Sequence, residues 1–152
     1  MELMKVPPFE HFYEEQREPV LNYLRRLLPR EAAEDAWQET FLRALRAYPK
    51  LRHAQYLRAW VFTIAERVAI DELRRRRPGA ELPETATEDA EPAYAELAEL
   101  TQGLPKKERA AVVLRYGYEF SYDQIGAALG SNEVAARQAA SSGVRRLRKE
   151  QR

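Results

Sequence analysis

The side chains with most to offer here are arginines. Arg74, Arg75, Arg76 and Arg77 stand as one block, and Arg145, Arg146, Arg148, Lys149 and Arg152 form another. Guanidinium groups hold phosphates by charge and by paired N–H bonds, so such clusters point towards a nucleic-acid backbone. The parts of an enzyme are missing. Asp35 and Glu39 make an i,i+4 carboxylate pair, but no third ligand or base accompanies them in a known motif. There is no phosphate loop and no nucleophile elbow. The chain has no cysteine, which excludes disulfides, thiolate zinc sites and thiol nucleophiles. Its two histidines, His11 and His53, do not make a metal cage. The expectation is a protein with no catalytic site, no metal and no cofactor.

Three further groupings follow from spacing, two on single helix faces and one across a turn. Asp35, Gln38, Glu39, Leu42 and Arg46 lie on the side of their helix away from Trp37 and Phe41. A leucine amid polar groups there reads either as a docking patch or as an ordinary solvated face. Trp60, Thr63, Arg67 and Arg74 form a second stripe. An aromatic ring with cations beside it suits opened DNA, where bases stack and phosphates need counter-charge. The bland alternative puts Trp60 in the core. Asp71, four residues from both Arg67 and Arg75, reads as a helix-face charge partner. The third grouping is SYDQIGAALG followed by SNEVAARQAASSGVRRLR. A short helix, a glycine turn and a second helix can set that second helix in the major groove. Its first two turns would then offer Glu133, Arg137 and Gln138 to base edges, with Arg145, Arg146 and Arg148 placed further on for phosphate. Ile125, Leu129 and Val134 are expected to hold the two helices together. A plain helical hairpin remains the alternative.

The elements that must carry these residues are all helical. Pro19 is expected to kink a first helix or split it in two, and Leu28–Pro29 to end it. The next helices are expected over 31–48 and 56–77. On the second of these Leu57, Val61, Ile64, Ala65 and Val68 form the apolar side. Residues 93–102 form another, and Pro105 opens one that runs to about Tyr116. Ser121 with Gln124 has capping-box spacing. Asn132 caps the last helix. Between the two halves lies PGAELPETATEDAEP, with three prolines and no aromatic residue, which reads as a linker. Charge follows the same division. Residues 1–77 carry 15 Lys/Arg against 12 Asp/Glu, residues 78–92 carry none against 5, and residues 93–152 carry 10 against 7. An acidic connector thus joins two mildly basic segments. The apolar runs are too short to span a membrane, and MELMKVPPFE has no signal-peptide core.

The tract from AEDAWQETFLRA to YLRAWVFTIAERVAIDELRRRR resembles region two of the extracytoplasmic-function sigma factors of the sigma-70 family. LPKKERAAVVLRYGYEFSYDQIGAALGSNEVAARQAASSGVRRLR resembles their region four. The resemblance implies an all-α fold with two small helical domains, 1–77 and 93–152, joined by a flexible acidic linker, 78–92. It implies that the Asp35–Leu42 face, with Arg46, docks on the clamp coiled coil of the largest subunit of RNA polymerase core. Region four would sit at the flap. The loop with Leu51, Arg52, His53 and Gln55, together with Trp60, Thr63, Arg67 and Arg74, would read and melt the minus-ten element. Ser121, Tyr122, Glu133, Arg137, Gln138, Ser141, Arg145 and Arg146 would read the minus-thirty-five element. The family has no catalytic site or metal, works in the cytoplasm without membrane insertion, and is commonly held inactive by an anti-sigma protein.

This chain departs from the family's habits at Arg67, usually asparagine, and at Thr63, often basic. Basic residues common at the positions of Ala139 and Ser142 are also missing. No further domain is expected after region four. Two competing readings are a helix-turn-helix regulator that never joins the polymerase, and a degenerate sigma paralogue that reads DNA poorly. Off the polymerase, the two domains could pack together and hide DNA-binding surface.

Overall fold

Helix α1 (Phe9–Arg25) follows Pro8 and continues past Pro19 as one element. In the interior of a helix a proline costs about 3 kcal/mol. Here Phe12 and Gln16 before it, and Val20, Tyr23 and Leu24 after it, are all buried on the same helix, and their burial outweighs that cost. The expected break therefore does not occur. Leu27 and Leu28 close the turn and are buried as well. Helix α2 (Arg30–Ala47) begins after Pro29 and passes into a 3₁₀ turn, Tyr48–Lys50, at Pro49. Helix α3 (Leu57–Arg75) comes next. The coordinates, a computed structural model, describe residues 6–51, 55–75, 97 and 100–150. The expected linker, most of the 93–102 helix, Arg52, His53, Arg76, Arg77 and Arg152 lie outside the described residues.

The first three helices close around an aromatic cluster. Phe12 lies 6.1 Å from Phe41, 5.3 Å from Tyr48 and 5.7 Å from Trp60, ring centre to ring centre. Trp37 packs at an angle against Tyr13 and edge-on to Phe41, and its indole N–H donates to the Arg17 carbonyl at 2.9 Å. Trp60 belongs to this cluster, so its ring supports the helix from inside.

The remaining helices are short until the last. Pro105 sits just before α4 (Lys106–Val112) rather than in its first turn. The chain then widens into a π turn, Val113–Gly117, which keeps Leu114 buried and turns Tyr116 out. Helix α5 (Tyr122–Ala128) opens with the complete capping box: Gln124 N–H donates to Ser121 Oγ and Ser121 N–H donates to Gln124 Oε1. Helix α6 (Glu133–Glu150) is capped by Asn132 Oδ1, which accepts from Ala135 N–H at 2.9 Å. Gly130, with φ of 73°, makes the turn between them.

Val134 does not join α5 to α6, because it is 64% exposed. Ala136 and Ala140 face Ile125 instead, and small residues bring the backbones close. A Cβ at Gly126 would lie 2.4 Å from the Asn132 carbonyl, and one at Gly143 would lie 2.7 Å from Val112 Cγ2.

The two helical units meet along α3. Its buried residues are Ala59, Val61, Phe62, Thr63, Ala65, Glu66, Val68, Ala69 and Ile70, which occupy more than one face. One side packs on α1 and α2. The other packs on α4, the π turn and α5. Among the described residues there is no strand.

Replacing Gly126 by alanine should lower stability by about 1–3 kcal/mol, because the turn at Asn132 must shift to admit the methyl group. Gly103→Ala, which meets nothing within 4 Å, is the matched control. Denaturant unfolding of the two variants checks the difference.

Candidate polymerase and nucleic-acid interfaces

Helix α2 is packed on one side and open on the other. Ala33, Ala36, Thr40, Phe41 and Ala44 are buried, while Asp35, Gln38 and Arg46 are exposed and Glu39 is half-buried. Leu42 and Leu45 are 47% and 49% exposed. Leu45 escaped the sequence reading, although its position three residues after Leu42 was a usable signal. Two half-exposed leucines one turn apart, rimmed by Asp35, Gln38 and Arg46, form an apolar patch with polar edges. Glu39 is drawn to Arg43 at 2.7 Å within the same helix.

The minus-ten candidates are distributed unevenly. Gln55 and Arg67 are exposed, and Leu51 is half-buried. Thr63 is buried, and its hydroxyl donates to the Trp60 carbonyl at 2.6 Å. Arg74 donates to the Gln102 carbonyl of the second unit. Arg75 pairs with Glu72. Just before α3, Tyr56 takes φ of 59°, and its hydroxyl donates to Asp123 Oδ2 on α5 at 2.6 Å. That bond raises the pKa of the Tyr56 hydroxyl.

Of the minus-thirty-five candidates, Tyr122 is half-buried, but those on α6 remain open to solvent, so the packing of the two units does not hide them. Glu133, Arg137, Gln138, Ser141, Arg145 and Arg146 are exposed on α6. Arg137, Gln138, Ser141, Ser142 and Arg145 line one shallow groove, which Arg146 and Lys149 extend. Arg137 pairs with Glu133 at 2.7 Å and lies 4.8 Å above the Tyr122 ring. Arg115 covers the same ring at 4.4 Å. The cation–π contact with the Tyr122 ring holds Arg137 against α5. Arg115 was missed by sequence reading, because its neighbour in space is seven residues away across a turn. Ser121 accepts the α5 cap bond, and Arg145 donates to Ser142 Oγ at 3.0 Å. Arg146 is tied to Glu108 of α4 at 2.8 Å, which gives it a structural partner within the fold.

Residues 12–78 match the family described as Sigma-70 region 2, and residues 94–147 match Sigma-70, region 4. The chain is 32% identical over 151 residues to the RNA polymerase sigma factor CarQ of Myxococcus xanthus, covering 92% of this chain and 87% of that one. It is 30% identical over 138 residues to the RNA polymerase sigma factor YlaC of Bacillus subtilis, covering 80% and 79%. The chain belongs to the sigma-70 family, in its extracytoplasmic-function class.

Two solved structures share the fold of this sigma factor. The extracytoplasmic function sigma factor SigJ of Mycobacterium tuberculosis matches with a TM-score of 0.51 and 25% identity, over 91% of this chain and 52% of that one. The sigma factor RpoE of Bartonella quintana, solved in complex with the anti-sigma factor NepR, matches with a TM-score of 0.51 and 17% identity, over 93% and 94%. The protein is a transcription initiation factor, and its family implies RNA polymerase and promoter DNA as partners. A regulator that never joins the polymerase leaves the region-two match without a role. Sigma factors are generally non-enzymatic. Among the described residues no cluster of three or more metal-ligating side chains occurs, and no helix is long and apolar enough to cross a membrane.

Proposed function

We propose that this sigma factor docks on RNA polymerase core through the outer face of α2 and reads two promoter elements with α3 and α6. The observation that carries the reading is the Leu42–Leu45 patch, half-exposed on a helix whose opposite side is already filled. Asp35, Gln38 and Arg46 give it a polar rim, the pattern of a protein-binding surface. The clamp coiled coil of the largest subunit is its partner, and the flap receives the second unit. The working units are residues 1–77 and 93–152, with 78–92 as an acidic connector between them. Gln55, Arg67 and Arg74, with the 51–55 loop, face the opened minus-ten strand, while Trp60 and Thr63 fix the helix from inside. Arg137 and Gln138 read minus-thirty-five bases, and Arg145 holds phosphate. An anti-sigma protein, the kind of partner that RpoE of Bartonella quintana carries, holds this one inactive in the cytoplasm.

Purified core enzyme with this protein should give promoter-dependent run-off transcripts that core alone does not give. Asp35→Arg with Leu42→Ala should weaken core binding about tenfold, or about 1.4 kcal/mol. A direct titration that finds unchanged affinity would put the docking face elsewhere. Arg67→Ala should impair open-complex formation, followed by permanganate footprinting, more than it impairs core binding. Equal loss of both would assign Arg67 a folding role.

The two arginines of the α6 groove should behave differently. Arg137→Ala should cost about 1–3 kcal/mol and relax preference at one promoter position. Arg145→Ala should weaken all sequences alike and reduce the salt slope by about one unit. Arg145 is the better phosphate probe than Arg146, whose loss would also free Glu108. Binding across single-base promoter variants separates the two outcomes.

A further inference from the structure

At the centre of the seam between the two units lies an ion pair that the sequence reading did not anticipate. Arg109 Nε of α4 meets Glu66 Oε2 of α3 at 2.5 Å, and both side chains are 1% exposed. Aromatic rings enclose the seam. Tyr23 lies 4.8 Å from Tyr118, and Phe62 lies 5.5 Å from Tyr118 and 5.7 Å from Phe120. The pair is incompletely satisfied. Glu66 Oε1 and Arg109 Nη1 are buried without a hydrogen-bond partner. Burial pushes the Glu66 carboxyl above the usual carboxylate range, although Arg109 pulls it back by charge and hydrogen bonding.

A permanent interface gains little from such a pair. Apolar residues of similar volume commonly hold two surfaces together as well or better, because the desolvation of two charges rivals their attraction. The neighbours in the seam are apolar already: Phe62, Ala69 and Ile70 on α3, Ala110 and Ala111 on α4. The charges do two things that apolar residues there would not. They fix one register, since a displaced α4 leaves Glu66 buried alone. They also regain full hydration when the units part, which lowers the cost of parting.

The units must part to read a promoter as proposed above. Elements named for positions ten and thirty-five are 25 base pairs apart, about 85 Å along B-DNA at about 3.4 Å per pair. A compact body of this chain length has a radius of gyration of about 15 Å and is about 40 Å across. With Glu66 touching Arg109, α3 and α6 cannot lie on both elements. The 15 residues from 78 to 92, which reach at most about 50 Å, allow the separation.

We propose that Glu66 and Arg109 form a latch that holds the two promoter-reading units together in the free chain and lets polymerase core pull them apart. It rests on the two-element reading above. Core binds the open form, so its apparent affinity falls with the fraction of chains that are open. The latch thereby sets how readily the factor is recruited.

The chain lacks cysteine, so Glu14→Cys on α1 and Lys106→Cys on α4, both exposed, accept a pair of distance labels. The labelled full chain should give a short distance when free and a longer one on core. Glu66→Leu with Arg109→Met should stay closed and bind core about tenfold more weakly, a shift of about 1.4 kcal/mol. Arg109→Met alone strands a buried carboxylate and should open the free chain. Glu66→Gln keeps the shape and should also open it, by stripping Arg109 of its counter-charge. Circular dichroism separates opening, with helicity retained, from unfolding of a variant.

Two results would overturn the latch: wild-type core affinity in the double variant, or closed distances in both single variants at native helicity. An unchanged distance on core would overturn the opening itself. Absence of promoter-dependent transcripts with the unsubstituted protein would instead remove the sigma reading. Transcription with an unaffected double variant removes the latch alone.

Discussion

The structure depends on α3 being buried from two sides. A helix with one apolar stripe needs one partner, and the stripe of Leu57, Val61, Ile64, Ala65 and Val68 finds it in α1 and α2. Phe62, Glu66, Ala69 and Ile70 lie off that stripe, and they are buried because the second unit covers them. Tyr23 is drawn into the same seam. Its hydroxyl is held well above the ordinary tyrosine range by burial, with Tyr118 and Glu66 adding to the effect and Arg109 opposing it. The seam is therefore a neutral aromatic collar around one charge pair, and the position of α4, α5 and α6 relative to α1 and α2 follows from it.

Within the second unit, the placement of the recognition helix is set by what is missing. Gly126 and Gly143 lack a Cβ where one would collide with the Asn132 backbone or with Val112. The α6 helix can thus approach both α4 and α5 closely, with Ala136 and Ala140 completing the contact. The Ser121 and Asn132 caps then fix where α5 and α6 begin, so the side chains of the first two turns of α6 leave the fold at a defined angle. Tyr122 and Glu133 hold Arg137 at that point, which would limit the side-chain entropy lost in the base contact proposed for it.

Charge is sorted by the same architecture. The cations of α6 lie on its open face, where Glu133 engages Arg137 and Glu108 of α4 engages Arg146. The acidic segment 78–92, with five carboxylates and no Lys or Arg, brings the net charge of the chain close to zero. Exposed cations of this kind steer nucleic acid at low salt and lose most of that reach beyond about 10 Å at 0.1 M salt.

Helix periodicity, the Ser121–Gln124 box, the Asn132 cap, the polar face of α2 with Leu42 and the tandem order of the two regions were all legible in the sequence. Each depends on residues close together along the chain, where 3.6-residue spacing and capping chemistry speak directly. Four features were not. Pro19 sits inside an unbroken helix because burial elsewhere on α1 outweighs its local cost. Val134 is exposed because alanines and a glycine bring α5 and α6 together. A core place for Trp60 was one of its two readings, but the rings it meets there, Phe12 and Tyr48, up to 48 residues away, were not legible. Glu66 and Arg109 look like two surface charges 43 positions apart. Local spacing determined the helices and the family; only the tertiary structure decided that these two charges meet, because burial depends on what another part of the chain brings to the surface of α3.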